Sequence, residues 1–356
     1  MKRAMDIAGL GMVSCLANGS PLNAAAMRCG YDGFHRLDFN QPYSDQSQVG
    51  AAIESDLTGI PRLSHMLEEA IKEAILPLAE DNNQDYNSLP VLICMPEKSP
   101  PSYFNNDTAL QNIVDQVFSK IDHITLHPDS FALWRQRCGF VSALAQAQDL
   151  IHRQNQAYVL ITGLDSLLDP ATLDYFGGDL YGNGCRLLSD DCSNGFIPGE
   201  AATAVLLSAP GKHDTSVVIA GVGEGKETAV IGDEEQILKG QGLAQAIINA
   251  SDDAGIPIHD TAFRVASVSG EDYFFREASL AQHRTLKQKV AEQGLWHPAD
   301  SIGEVGAAVG GAMVVMVYYA FVEHYAPGNT ALCHISNDNR RRGAFIMQHR
   351  EQGTGV

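Results

Sequence analysis

Three short stretches of the sequence carry side chains that could perform chemistry. Cys138-Gly139 stands directly before an amphipathic stretch, so its thiol would lie at the positive end of a helix dipole, which favours the thiolate. Glu304 opens an apolar stretch, where it could act as a general base or cap the first helical turn. Ser269-Gly270 follows a β-rich run, but no Gly-x-Ser-x-Gly frame surrounds it. Cys138 with Glu304 or His334 as base would suit acyl-thioester chemistry; an ordinary structural role is the alternative for each.

The elements that must position these residues alternate along the chain. Strands are predicted at 5–12, 89–94, 121–126, 157–162, 201–207, 217–222, 263–268, 331–335 and 344–348, and helices at 61–80, 105–120, 139–153, 242–254, 274–292 and 306–324. Such alternation predicts an α/β protein with helices covering the sheet faces. A polar break at 208–212 separates two stretches of similar element order, so we divide the chain into halves at 1–210 and 211–356.

Charge and cysteine content narrow the function classes. The 24 Lys and Arg residues against 43 Asp and Glu residues give a net charge of −19, which argues against nucleic acid or anionic membrane as a general partner. The basic triplet 340–342 could receive an acidic carrier protein, and solvated surface arginines are the alternative. Seven cysteines, without Cys-x-x-Cys or zinc-ligand spacing, predict free thiols in a reducing cytoplasm and no metal or cofactor.

One segment has the composition of a membrane span. Residues 305–322 form an 18-residue run without a charge, at the lower limit for crossing a bilayer. Its glycines and alanines also suit tight helix packing inside a large α/β protein. We therefore predict a buried helix and no membrane span. The first residues lack the uninterrupted apolar core of a signal peptide.

Four motifs, in matching order across nearly the whole chain, resemble the β-ketoacyl synthases. They are IAGLGMVSCL at 7–16, TGLDS at 162–166, GFIPGEAA at 195–202 and IGEVGAAVG at 302–310. GFIPGEAA is the most specific of the four, because a glycine-rich turn alone would be a weak match. The resemblance implies the thiolase fold, with two βαβαβαββ halves forming sheets and helices in five layers, and a dimer.

The resemblance also implies a reaction that this sequence is poorly equipped to perform. In the family, a cysteine at a helix N-terminus takes the acyl chain as a thioester, and two histidines stabilise the charge formed during decarboxylative Claisen condensation. Here the nucleophile position falls at Arg137 or, with a one-residue slip, at Cys138. Ser269 and Glu304 replace the two histidines, and a carboxylate facing an oxyanion would repel it.

Further positions also depart from the residues that the family uses for catalysis and gating. The lysine expected before the second histidine aligns near Ala299, and a downstream acidic position aligns near Glu277. The glycine-rich gating loop aligns with 337–343, whose charged side chains cannot mimic flexible glycines. If an acyl substrate binds, we expect its contacts to come from a set flanking the nucleophile and the gating loop: Arg137, Phe140, Asn339 and Arg340.

These substitutions favour a protein without condensing activity. We expect it to pair with itself or with a thiolase-fold homologue, and to serve as an adaptor for a protein client in the cytoplasm. Similarity to short bacterial members suggests a type VI secretion effector cluster as its setting. One alternative is an acyltransferase or acyl-thioester enzyme that uses Cys138. The other is an acyl-chain binding protein that keeps the family's tunnel without turnover.

Overall fold

The computed structural model describes residues 3–40, 47–80, 88–98, 102–121, 124–178, 185–190, 192–212, 215–290 and 292–350. The strands in these ranges are β1 Met5–Ser14, β2 Ala17–Asn18, β3 His35–Asn40, β4 Ser47–Gly50, β5 Ser88–Leu89, β6 Val91–Met95, β7 Thr125–Leu126, β8 Phe131–Trp134, β9 Tyr158–Ser166, β10 Glu200–Ser208, β11 Val217–Lys226, β12 Phe263–Ala266, β13 Leu295–Trp296, β14 Thr330–Ser336 and β15 Arg341–His349. The helices are α1 Ser20–Arg28, α2 Gly59–Ala74, α3 Leu76–Glu80, α4 Asp107–Phe118, α5 Gly139–His152, α6 Pro170–Gly177, α7 Gln241–Ala254, α8 Asp272–Thr285, α9 Ala299–Ile302 and α10 Val309–Val322. Short 3₁₀ turns occur at Gln136–Cys138, Ile258–Asp260 and Gly306–Ala308.

The same five-strand arrangement occurs twice. The spatial order is β8-β6-β9-β10-β1 in the first set and β13-β12-β14-β15-β11 in the second. In each set the last strand in chain order lies between the first and the fourth and runs antiparallel to both. The second, third and fourth strands run parallel. With their connecting helices, both sets follow the order βαβαβαββ, as the resemblance implies.

The two sets join at one edge and enclose a helical layer. Strands β1 and β11 pair briefly, with Met5 opposite Ile219 and Asp6 opposite Val218, so one 11-stranded sheet runs through the described residues. Helices α5 and α10 share the central hydrophobic core with side chains from both sets of strands. Because successive residues of a strand face opposite sides of the sheet, each set of strands also has an outer face that does not contact this core. Helices α2 and α4 cover one outer face, and α7 and α8 the other. The predicted five layers are confirmed.

Most predicted elements are present, with differences at their ends. The predicted helix at 61–80 is interrupted after Ala74, just before Pro77, which has no N–H to donate. The predicted helix at 274–292 ends at Thr285, because Leu286 adopts an extended conformation. Of the predicted strand at 121–126 only Thr125–Leu126 is a strand, and 122–123 lie outside the described residues.

The apolar run at 305–322 is the buried helix that the sequence predicts. It begins with the 3₁₀ turn Gly306–Ala308 and continues as α10, most of whose residues are fully buried. No helix within the described ranges is both long and apolar enough to cross a membrane.

Candidate functional site

The turn between β8 and α5 directs Arg137 into the protein. Gln136 has a φ of 48°, a left-handed conformation that is uncommon for a residue with a side chain. The 3₁₀ turn then leads into α5, and the N–H of Cys138 donates to Oδ1 of Asn337 at 2.8 Å. As a result the Arg137 side chain is only 2% exposed. The turn thus presents a buried guanidinium at one of the two positions expected for the nucleophile.

The GFIPGEAA motif holds Glu304 in place. The N–H of Glu304 donates to the carbonyl of Ile197 at 2.8 Å, and the N–H of Gly199 donates back to the carbonyl of Glu304 at 2.9 Å. The two segments approach so closely that a Cβ on Gly199 would lie 2.2 Å from the carbonyl oxygen of Ile302. Gly303 adopts a φ of 68°, which favours glycine. The GFIPGEAA motif therefore positions Glu304, the residue expected at the place of the second histidine.

Arg137 and Glu304 form a buried ion pair. Nη1 of Arg137 donates to Oε2 of Glu304 at 2.9 Å, and the Glu304 side chain is 6% exposed. The other carboxylate oxygen, Oε1, accepts the N–H of Gly306 at 2.8 Å, so Glu304 also caps the turn that leads into α10. The guanidinium lies 4.8 Å above the ring of Phe274. Both groups are thus occupied by partners inside the protein.

The pair belongs to a larger set of charges that we call the charge network: Glu304, Arg137, Asp338, Arg186 and Glu271. Asp338 bridges the two arginines, because it pairs with Nη2 of Arg137 through one oxygen and accepts from Nη1 of Arg186 at 2.8 Å through the other. Arg186 binds Glu271 with two hydrogen bonds of 2.6 and 2.9 Å. Three carboxylates therefore alternate with two guanidiniums.

Opposite charges stabilise the charged forms of Arg137 and Asp338. Burial opposes the charge on Arg137, but Glu304 and Asp338 outweigh it and raise the pKa of the guanidinium. Burial likewise opposes the charge on Asp338, but Arg137 and Arg186 hold the pKa of that carboxyl well below its usual value. At the end of the network, burial raises the pKa of Glu271 despite Arg186. A network of this kind offers no unpaired base at neutral pH.

Cys138, the other candidate nucleophile, points away from the charge network. Its Sγ lies 3.4 Å from the carbonyl oxygen of Arg341 and 3.7 Å from that of Ile335, and the residue is buried. Burial raises the pKa of Cys138 to about 12, against the opposing effect of Arg342 and Arg137. The thiol is therefore protonated near neutrality, although it precedes α5.

Two further candidates from the sequence, Ser269 and His334, lack the contacts that catalysis would need. Oγ of Ser269 has no hydrogen-bond partner within the described residues, so it does not bond to Arg137 or Glu304. His334 is fully buried on β14, and burial lowers its pKa to about 3, so its ring stays neutral. Asp165 lies beneath the start of α10 and accepts the N–H of Ala307 at 2.8 Å. Burial raises the pKa of Asp165 to about 7 despite that hydrogen bond.

The segment that aligns with the family's gating loop is tied down by Arg342. Its Nη1 donates to the carbonyls of Asn337, Asn339 and Arg341 at 3.0, 2.6 and 2.7 Å. Its Nε binds Glu277 at 2.7 Å, and neither side chain is exposed. The sequence led us to expect that residues 340–342 are solvated or receive a carrier protein. For Arg342 this expectation is wrong, because its buried guanidinium pairs with the buried carboxylate of Glu277.

The four residues expected to contact an acyl substrate have different surroundings. Phe140 is fully buried and packs against Phe345, with 5.8 Å between ring centroids. Asn339 donates to Oε1 of Glu97, and Arg340 faces solvent. Arg137 is held in the charge network, so a shared role of the four in binding a substrate stays a prediction.

The cavity beside the candidate site is small. About 20 Å³ lies among side chains that include Glu97, Gln136, Asp165 and Ser166, which is room for about one water molecule. A separate cavity of about 390 Å³ lies between α1, β13 and α10 and shares none of these residues. No group of His, Cys, Asp and Glu within the described part of the chain is arranged to hold a metal ion.

Sequence reasoning missed three members of the charge network. Glu271 and Asp338 stand inside segments already compared with the family, two residues after Ser269 and one after Asn337, so their charge was a usable signal. Arg186 lies outside every family motif and gives no such signal. The partners 186 and 338 are brought together only by the fold.

Comparisons with known proteins place the fold. No protein-family model and no curated protein matches the sequence. A chain of the AntDE:AntF complex, a type II polyketide synthase acyl-carrier protein with its ketosynthase, is 13% identical with a TM-score of 0.79, over 98% of this chain and 100% of that one. The ishigamide ketosynthase/chain length factor is 14% identical with a TM-score of 0.78, over 99% and 100%. A β-ketoacyl synthase from Burkholderia phymatum is 15% identical with a TM-score of 0.70, over 99% and 100%. The chain therefore has the thiolase fold of the ketosynthases and chain length factors.

Proposed function

We propose that this chain is a ketosynthase-like protein without condensing activity that works as a partner subunit or adaptor. The observation that carries the proposal is the buried ion pair between Arg137 and Glu304, at positions where the resemblance places a nucleophile and a histidine. Condensation needs a thiolate and donors that stabilise an enolate-like charge. A carboxylate already bound to a guanidinium supplies neither.

The surrounding structure supports the same proposal. The gating segment is fixed through Arg342 and Asp338, so the glycine-dependent opening of the family has no counterpart in these contacts. The adjacent cavity of about 20 Å³ is far below the several hundred Å³ of a typical small-molecule pocket. Among the described residues, this cavity therefore gives no support for an acyl-chain binding role.

The alternative of an acyl-thioester enzyme depends on Cys138. Its protonated, buried thiol and the carbonyl oxygens around it give no support for acyl transfer. That alternative still makes the sharpest contrast with the proposal, because it predicts a covalent intermediate on one named residue.

The descriptions of the neighbours support a protein partner. Several solved structures similar to this chain are described as complexes of ketosynthases with chain length factors or acyl-carrier proteins. We propose a homodimer, or a heterodimer with a thiolase-fold homologue, in the bacterial cytoplasm, with a type VI secretion effector as client. Stoichiometric co-purification of the tagged chain with such an effector would support this setting, and separate elution of the two purified proteins would contradict it.

The experiment is intact-mass analysis after incubation with malonyl-, acetyl- and longer acyl-CoA and acyl-carrier thioesters. Wild type and Cys138→Ala are compared, with an active ketosynthase as the positive control for each donor. We expect no adduct on either variant and no decarboxylation of malonyl thioester. An adduct on wild type that is absent from Cys138→Ala would overturn the proposal and establish the acyl-enzyme alternative.

A further inference from the structure

Two thiols meet in the loop that supplies Arg186 to the charge network. Sγ of Cys192 lies 2.9 Å from the carbonyl oxygen of Cys185, and Sγ of Cys185 lies 3.4 Å from the carbonyl oxygen of Leu187. Cys185 is exposed, whereas Cys192 is 8% exposed. Only six residues separate Cys185 from Cys192, whereas the other five cysteines lie much further from this pair in the sequence.

The backbone around the pair is well held. The N–H of Arg186 donates to the carbonyl of Phe176 at 2.8 Å, and the N–H of Phe196 donates to the carbonyl of Arg186 at 2.9 Å. Ser189 and Cys192 exchange two hydrogen bonds of 3.1 Å each, which turns the chain back on itself. These contacts return the chain from Cys192 to Cys185. A disulfide needs Cα atoms about 4.4–6.8 Å apart, and a chain that turns back on itself within six residues favours such a separation.

We propose that Cys185 and Cys192 form a reversible disulfide, with a small-molecule disulfide such as oxidised glutathione as the oxidant. The exposed thiol of Cys185 loses its proton and attacks one sulfur of the oxidant, forming a mixed disulfide and releasing one small thiolate. The thiol of Cys192 then loses its proton and attacks Sγ of Cys185, releasing the second small thiolate. Two protein thiols are oxidised, and one disulfide is reduced to two thiols.

The consequence concerns the residue beside Cys185. Arg186 binds both Asp338 and Glu271, so the closed loop would hold its guanidinium in the charge network. In the reduced protein, the Arg186 guanidinium would leave the charge network more easily. This inference is independent of the proposed function, because it requires no partner and no acyl donor.

The test uses the full chain carrying Cys29→Ser, which removes the other exposed thiol. After treatment with oxidised glutathione, we expect the intact mass to fall by two hydrogens, and peptide mapping to join Cys185 to Cys192. The additional change Cys192→Ser should leave a stable glutathione adduct on Cys185, and Cys185→Ser should give neither product. Dithiothreitol should restore the reduced mass.

Two results would overturn the proposal. The first is a glutathione adduct that persists on Cys185 while Cys192 is present, since the thiols would then not reach each other. The second is unchanged amide hydrogen exchange across 185–196 after oxidation, since the disulfide would then not restrain the loop. Slower exchange in the oxidised form, reversed by dithiothreitol, is the expected result.

Discussion

At the residue scale, the charge network consists of buried side chains whose opposite charges compensate one another. Removing charges from water costs several kcal/mol per ion, and paired partners recover this only with good geometry. Arg137 has such geometry, because Glu304, Asp338 and the ring of Phe274 surround it. Glu304 depends on Arg137 for its counter-charge, whereas Arg137 also has Asp338. A buried Glu304 without Arg137 would therefore lack its ion-pair partner.

This reasoning predicts a large cost for breaking the pair. Arg137→Met should lower the free energy of unfolding by about 3–5 kcal/mol, since it leaves Glu304 buried without its cation. The double variant Arg137→Met/Glu304→Gln should lose less than the sum of the single losses. Urea unfolding measures all three. Lys98→Met is the control, because its pair with Asp107 is exposed and should contribute less than about 1 kcal/mol.

A particular result would contradict this account. If Arg137→Met were no more destabilising than Lys98→Met, the pair could not be holding the site together.

At the element scale, helices α5 and α10 determine what the site can contain. They pack against each other in the central layer, and their first turns carry Cys138 and the 3₁₀ turn capped by Glu304. The contact is close because Gly310 faces the ring of Phe140, where a Cβ would lie 2.3 Å from Cγ. Phe140 thus fills central-layer space directly behind the candidate site.

The closeness of this contact can be tested by adding one methyl group. Gly310→Ala should lower the free energy of unfolding by about 1–3 kcal/mol, because the core cannot accept the extra carbon without shifting Phe140. Phe140→Leu in the same chain should recover part of the loss through a positive coupling in the double-mutant cycle. Gly294→Ala is the control, since a Cβ there would meet only Nε1 of Trp296 at 3.8 Å. Equal unfolding midpoints for the two alanine variants would refute the packing argument.

At the scale of the whole molecule, the two sets of strands depend on one shared core. Leu92 and Val159 from the first set and Phe263 and Val265 from the second contribute to the same central cluster. Neither set can bury its inner face without the other. The hydrophobic contribution to folding is therefore spread across the two halves.

This dependence predicts one cooperative unfolding transition for the full chain. Calorimetric and van't Hoff enthalpies should agree, as for a two-state protein. Residues 1–210 alone should show no cooperative transition and should bind a dye specific for exposed hydrophobic surface. Two separated heat-absorption peaks from the full chain would mean that the halves are thermodynamically independent, and would refute the prediction.

Sequence alone determined the fold. Short apolar runs, amphipathic helices and the GFIPGEAA segment are local patterns, and the backbone follows them because each pattern fits one type of element. That Ser269 and Glu304 stand at the positions of the family's histidines is a prediction from motifs whose order matches the family. Element ends were less predictable, as at Ala74 and Thr285, since they depend on proline and on local backbone geometry.

The tertiary structure decided which charges meet. Sequence left open whether Arg137 or Cys138 faces the site, and only the turn at Gln136 directs the guanidinium towards Glu304 and the thiol towards backbone carbonyls. The pairing of Arg186 with Asp338 joins residues 152 positions apart. Such contacts carry no periodic signal in the sequence, because they depend on how two separate parts of the chain are brought together by the shared core.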